Sequence, residues 1–121
     1  MNPHNLNGTA VVTGAGQGIG RAIALQLLQA GCHVIAIGRT AEKLETLAIE
    51  AGVDATHIEC HGLDIRDTTA FAKALKNSTF APVKYLVNGA GVLTASRIHQ
   101  TPADEIADTI AINFTATLQI T

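Results

Sequence analysis

An apolar strand that runs straight into a glycine-rich turn and then into a helix is the feature that most limits how this chain can fold. Thr9 to Thr13 reads TAVVT, and Gly14-Ala15-Gly16-Gln17-Gly18-Ile19-Gly20 follows without a break. From Ile19 to Ala30 the apolar period becomes helical, with Ile19, Ile23 and Leu27 at i, i+4 and i+8. In this context each glycine has a distinct use. Gly14 permits a tight turn, Gly18 lets backbone approach a pyrophosphate, and Gly20 lets the helix pack closely on the sheet. The helix N-terminus then points N–H groups and partial positive charge at an anion. The alternative is a structural turn that needs positive φ and nothing more.

The remainder repeats the alternation. His33 to Ile37 is a second strand, closed off from the first helix by Gly31. A second helix starts near Thr40, carries Leu44, Leu47, Ala48 and Ala51 on one face, and stops at Gly52. Ile58 to Leu63 is a third, more polar strand, and Asp67 to Lys76 a third helix with Phe71 and Leu75 inward. Val83 to Val87 is a fourth strand, followed by the small-residue turn Asn88-Gly89-Ala90-Gly91. A last helix begins at Thr101-Pro102, carries Ile106 and Ile110, and runs to Thr121.

Strands separated by helices pair in parallel through right-handed crossovers, and strands apolar along their whole length are covered on both faces. The expectation is one α/β domain over residues 1–121. It is a Rossmann-type doubly wound parallel sheet of about four strands in the order 3-2-1-4, with helices on both faces. Strands one and four are neighbours where the chain reverses direction. Ligands of such sheets bind in the crevice there, between Gly14–Gly20 and Asn88–Gly91. More strands normally follow the fourth, so the sheet is expected to be incomplete and the chain a fragment or truncation at its C-terminus.

Composition narrows the function classes. Charged residues are 15% and the formal net charge is −2, no footprint for nucleic acid or an acidic membrane. No apolar run reaches the length of a membrane span, and Met1-Asn2-Pro3-His4-Asn5 does not open like a signal peptide, so a cytoplasmic protein is expected. Cys32 and Cys60, each followed by a histidine, match no metal or redox spacing and read as small buried hydrophobes, so no metal is expected.

Thr13-Gly14-Ala15-Gly16-Gln17-Gly18-Ile19-Gly20 resembles the TGxxxGxG signature of the classical short-chain dehydrogenases/reductases. Leu63-Asp64-Ile65 resembles that family's aspartate after strand three, and Asn88-Gly89-Ala90-Gly91 its NNAG motif, with Gly89 in place of the second Asn. Ile112-Asn113 resembles the Asn of its fourth helix. The match covers nearly all of the chain but only the first half of a usual member.

The resemblance implies roles. Gly14, Gln17, Gly18, Ile19 and Gly20 would hold the adenosine and pyrophosphate side of a nicotinamide dinucleotide. Asp64 would accept from the adenine amino group and the Ile65 N–H would reach the ring. Asn88, Ala90 and Gly91 would pack along the ribose and brace the sheet. The competing role for Asp64 is a cap on its own turn before Asp67.

The end of strand two bears on the choice of cofactor. Gly38 stands where NAD-type members carry Asp, and Arg39 follows it, able to grip a 2′-phosphate bidentately, with Thr40 adding a hydroxyl. NADP(H) is therefore expected over NAD(H). The alternative is that Arg39 is a solvated loop charge. Gln17 counts against NADP(H), because some NADP-type members place a second basic residue there.

The family's chemistry is hydride transfer between the nicotinamide and a carbonyl or alcohol. It uses a Tyr whose pKa a Lys four residues later lowers, a Ser, and an Asn that holds a relay water. Of these four, only Asn113 has a counterpart, and without the Lys the role left to it is that of a polar kink residue in the last helix. The one tyrosine, Tyr85, is followed four residues on by Gly89 and reads as core. The 121 residues alone are expected to be inactive, as the cofactor-binding part of an oxidoreductase, a non-catalytic dinucleotide-binding module, or a fragment that does not fold stably by itself. The resemblance implies a homo-oligomer at full length. The glycine turn and the stretch from Leu86 to Leu93 are similar to those of dihydroxybenzoate-type dehydrogenases of siderophore pathways, and equally to many sugar, steroid and acyl-carrier reductases.

Overall fold

A computed structural model of the chain describes residues 7–80 and 82–90. Its elements are β1 (Thr9–Thr13), α1 (Gly18–Gln29), β2 (His33–Gly38), α2 (Ala41–Glu45), α3 (Leu47–Ala51), a 3-10 turn (Ala55–His57), β3 (Ile58–Gly62), α4 (Thr68–Lys76) and β4 (Val83–Asn88). Gly91, Asn113 and the helix expected from Thr101 lie outside the described residues.

The strands form one parallel sheet in the order β3-β2-β1-β4. Thr13 pairs with Ile37 on one side and Asn88 on the other, so β1, β2 and β4 end level with one another. Side chains alternate across the sheet. Val12, Val34 and Ala36 lie under Ala24, Leu28, Leu44, Leu47 and Ala51 from α1, α2 and α3. Val11, Ile35 and Ile37 face Ile65 and Phe71 on the other side. Both faces are covered, which is why β1 and β2 read as unbroken apolar runs. Each large side chain so buried stabilises the fold by about 1.5–3 kcal/mol.

The face that α1 turns to the sheet is one residue on from the Ile19, Ile23, Leu27 spacing. Gly20, Ala24 and Leu28 are buried, whereas Ile19 is 79% exposed. The reason is contact distance. A Cβ at Gly20 would lie 2.2 Å from the Gly14 carbonyl oxygen, so at its first turn the helix must present a glycine to the sheet, which fixes the face that follows.

The second helical stretch is two short helices that break at Thr46. Leu44, Leu47, Ala48 and Ala51 are its buried residues, and Gly52 ends it at φ 73°. Thr40 occupies the N-cap position without a side-chain capping bond. Asp67 stands just outside α4 and caps it, its carboxylate accepting from the Ala70 N–H at 3.0 Å.

β4 is the outer strand among the described residues, and Tyr85 on it is half-buried against the core, not fully enclosed. Cys32 is buried and Cys60 half-buried, and burial pushes both thiols up. Among the described residues no helix is long and apolar enough to cross a membrane.

Candidate cofactor cleft

The turns at the C-terminal ends of the strands enclose an open cleft of about 360 Å³. Of the residues singled out in the sequence, Gly14, Gln17, Gly18, Ile19, Gly20, Arg39, Asp64, Ile65 and Ala90 line it. Asn88, the last residue of β4, is not among the lining residues. Gly91 and Asn113 lie outside the described residues.

Backbone contacts set the shape of the glycine turn. Gly14 has φ 64°, and a Cβ there would fall 2.3 Å from the Gly89 carbonyl oxygen, so the two small-residue turns touch. The Ala15 N–H donates to the Ile37 carbonyl at 3.0 Å, tying the turn to the end of β2. The Thr13 hydroxyl, wholly buried, accepts from the Ala90 N–H at 3.1 Å and ties β1 to the turn after β4. Gly18 is different. Its φ is 62°, yet nothing lies within 4 Å of where its Cβ would be. Its backbone borders open space, the arrangement that lets a ligand come close.

α1 begins beside that space. Gln17 at its N-cap makes no side-chain capping bond, and no acidic residue sits in the first turn. No side chain of the helix itself competes with an anion for its first N–H groups.

Charge around the cleft is uneven. Among the described residues Arg39 and Lys43 are its basic lining residues and Asp64 its acidic one. The Asp64 carboxylate is already engaged. It accepts from the Arg66 N–H at 2.9 Å and from the Arg66 guanidinium at distances from 2.5 to 3.1 Å. These bonds, the guanidinium first, hold its carboxyl below the usual carboxylate range, and the charge of Arg39 adds to the effect. The local turn role anticipated for Asp64 is thus realised through Arg66, while the residue also faces the cleft.

Three contributors were not singled out from the sequence: Thr13 as a brace, Arg66 as the partner of Asp64, and Lys43 on the cleft wall. The Lys43 ammonium donates to Gln17 Oε1 at 2.9 Å. Lys43 belongs to the apolar-periodic second helix, whose local pattern reports its buried face and not what the opposite face reaches.

The uncapped helix start and bare Gly18 backbone fit the pyrophosphate of a dinucleotide.

Comparison with known proteins agrees with this geometry. The family model described as short chain dehydrogenase matches residues 8–121. The chain is 36% identical over 118 residues to 2,3-dihydro-2,3-dihydroxybenzoate dehydrogenase of Bacillus subtilis (strain 168), covering 95% of this chain and 45% of that protein. The crystal structure of a short-chain dehydrogenase/reductase, glucose/ribitol dehydrogenase, from Brucella melitensis superposes with a TM-score of 0.87 at 26% identity, over 99% of this chain and 51% of that one. The closed form of serine dehydrogenase complexed with NADP+ gives a TM-score of 0.81 at 30% identity, over 93% and 45%. The chain therefore spans about half the length of the relatives it matches. With the family model matched over nearly its whole length, this chain belongs to the short-chain dehydrogenase family.

Proposed function

We propose that this chain is the cofactor-binding part of an NADP(H)-dependent oxidoreductase that transfers hydride between the nicotinamide and a carbonyl or alcohol substrate. The observation that carries the reading is the pairing of an open, uncapped glycine turn with Gly38 and Arg39 at the end of β2. No carboxylate stands at Gly38 to take the ribose 2′-hydroxyl of NAD(H), and Arg39 and Lys43 leave the adjoining wall positive. The bound cofactor would supply the hydride donor or acceptor. The chain's own residues would bind and orient it: Gly18 and the start of α1 at the pyrophosphate, Asp64 and Ile65 at the adenine, Arg39 at the 2′-phosphate, and Ala90 along the ribose. Asn88, Gly91 and Asn113 keep the roles that the family motifs give them.

Isothermal titration of the protein with NADPH and NADH tests this. Tighter binding of NADPH by about ten-fold or more supports it, and equal or weaker binding of NADPH overturns the cofactor assignment.

A second reading is a dinucleotide-binding module without catalysis. It is favoured by the residue four positions after Tyr85, which is Gly89 and not lysine. The 121 residues alone are then expected to bind cofactor without turning it over. Oxidation of NADPH by these residues with carbonyl substrates would contradict that. The identity to the Bacillus subtilis enzyme supports a cyclic dihydrodiol of the dihydroxybenzoate type as the alternative substrate class for the whole protein.

A further inference from the structure

The start of α1 is weakly held by its own residues. Gln17 gives the N-cap no side-chain bond, and the first helical bond, from the Arg21 N–H to the Gln17 carbonyl, is long at 3.3 Å. Gly18 and Gly20 fall in the first turn, and glycine loses more backbone freedom on ordering than any other residue. An anion site on such a turn binds weakly if binding must also order the turn.

The Arg21 side chain supplies the missing hold. Arg21 does not line the cleft. It leaves the first turn of α1 and crosses to the break between α2 and α3. There its guanidinium donates to the Lys43 carbonyl at 2.6 Å, to Thr46 Oγ1 at 2.9 Å and to the Glu50 carboxylate. The Lys43 carbonyl is among the last of α2, where carbonyls need partners from outside the helix. Thr46 opens α3 without a side-chain capping bond, and its hydroxyl serves Arg21 instead. A planar guanidinium meets several acceptors at once, which an ammonium on a flexible stem does less well.

We propose that Arg21 is a positioning residue for the anion site at the start of α1: without touching the ligand, it anchors the uncapped turn to the α2–α3 break, so that the turn is ordered before a pyrophosphate arrives. The inference rests on the dinucleotide reading above and adds to it the residue that keeps the site preformed. The pyrophosphate is common to NADPH and NADH, so Arg21 acts on both alike.

The test pairs calorimetric titration of the protein with NADPH and NADH with 15N relaxation of the unliganded protein. Arg21→Ala should weaken both dinucleotides by the same factor, about ten-fold, comparable with the cost of ordering one residue's backbone. In the unliganded variant the turn from Gly18 to Arg21 should loosen while β1 and β2 stay rigid, and saturating NADPH should restore it. A general loss of stability does not loosen one turn selectively. Arg21→Lys should recover part of the affinity. Thermal unfolding checks each variant. Should Arg21→Ala fail to fold, Arg21→Lys and Thr46→Val carry the same comparison, with smaller losses that are again equal for the two dinucleotides. If wild type binds neither dinucleotide, the dinucleotide reading falls and this inference with it. If wild type binds, the reading stands, and the anchor is refuted by an Arg21→Ala variant that binds as tightly, that loses NADPH alone, or that loses affinity with its turn still rigid.

Discussion

The Thr13 hydroxyl accepts the Ala90 N–H at 3.1 Å from a position that solvent does not reach, and so joins the two turns that frame the cleft. Thr13→Val keeps the shape and removes both the acceptor for the half-buried Ala90 N–H and the donor to the Val87 carbonyl. Urea denaturation should show a loss of about 1–3 kcal/mol. Thr13→Ser, which keeps the oxygen, should recover a substantial part of it. Equal losses in the two variants would mean that packing, not the hydrogen bond, is what matters at this position.

Gly18 and Gly20 separate binding from folding. A Cβ at Gly20 meets the Gly14 carbonyl at 2.2 Å, whereas one at Gly18 meets nothing within 4 Å. Gly20→Ala should therefore lower the urea midpoint severely, because backbone must move. Gly18→Ala should cost about 1–2 kcal/mol for its positive φ, yet weaken NADPH strongly by occupying the space left for the phosphates. An unaltered NADPH affinity in Gly18→Ala would place the pyrophosphate elsewhere.

Leu28 anchors α1 to the sheet and is 1% exposed within the core of that face. Leu28→Ala should cost about 2–5 kcal/mol in urea denaturation. Ile19→Ala at the other end of the same helix, at 79% exposure, should change stability little and act instead on cofactor affinity, since Ile19 lines the cleft. The reverse ranking would contradict the assigned helix face.

The acid limb of stability should contain a contribution from Asp64. Its carboxyl is held low first by the Arg66 side chain, so the folded value lies below the unfolded one of about 3.9. The contribution is fully present above the unfolded value and is lost as pH falls through the folded one. Arg66→Ala should raise the Asp64 midpoint toward the ordinary range, read by carboxyl carbon NMR. A midpoint unchanged in that variant would show that Arg66 does not set it.

Much of the fold was legible because it is written in local patterns. The apolar runs at Thr9 and His33 and the glycine stop at Gly52 follow from periodicity and turn chemistry, and the strand order follows from the doubly wound topology that such an alternation adopts. The helix face around Ile19 was not legible, because it is decided by the approach of Gly20 to Gly14 and not by which residues are most apolar. Lys43 on Gln17 and Thr13 on Ala90 join residues 26 and 77 positions apart in sequence, where a local reading has no access. Arg66 lies two residues from Asp64, and an Asp followed by an Arg in a turn was a signal that could have been used.

On the proposed function a nicotinamide dinucleotide occupies the cleft at the C-terminal ends of the strands. Mapping amide chemical shifts during titration with NADPH tests it directly. Saturable shifts are expected at Gly14 to Gly20, Arg39 to Lys43, Asp64 and Ile65, with the 3-10 turn at Ala55–His57 unmoved. No saturable shifts, or shifts centred away from the glycine turn, would contradict it.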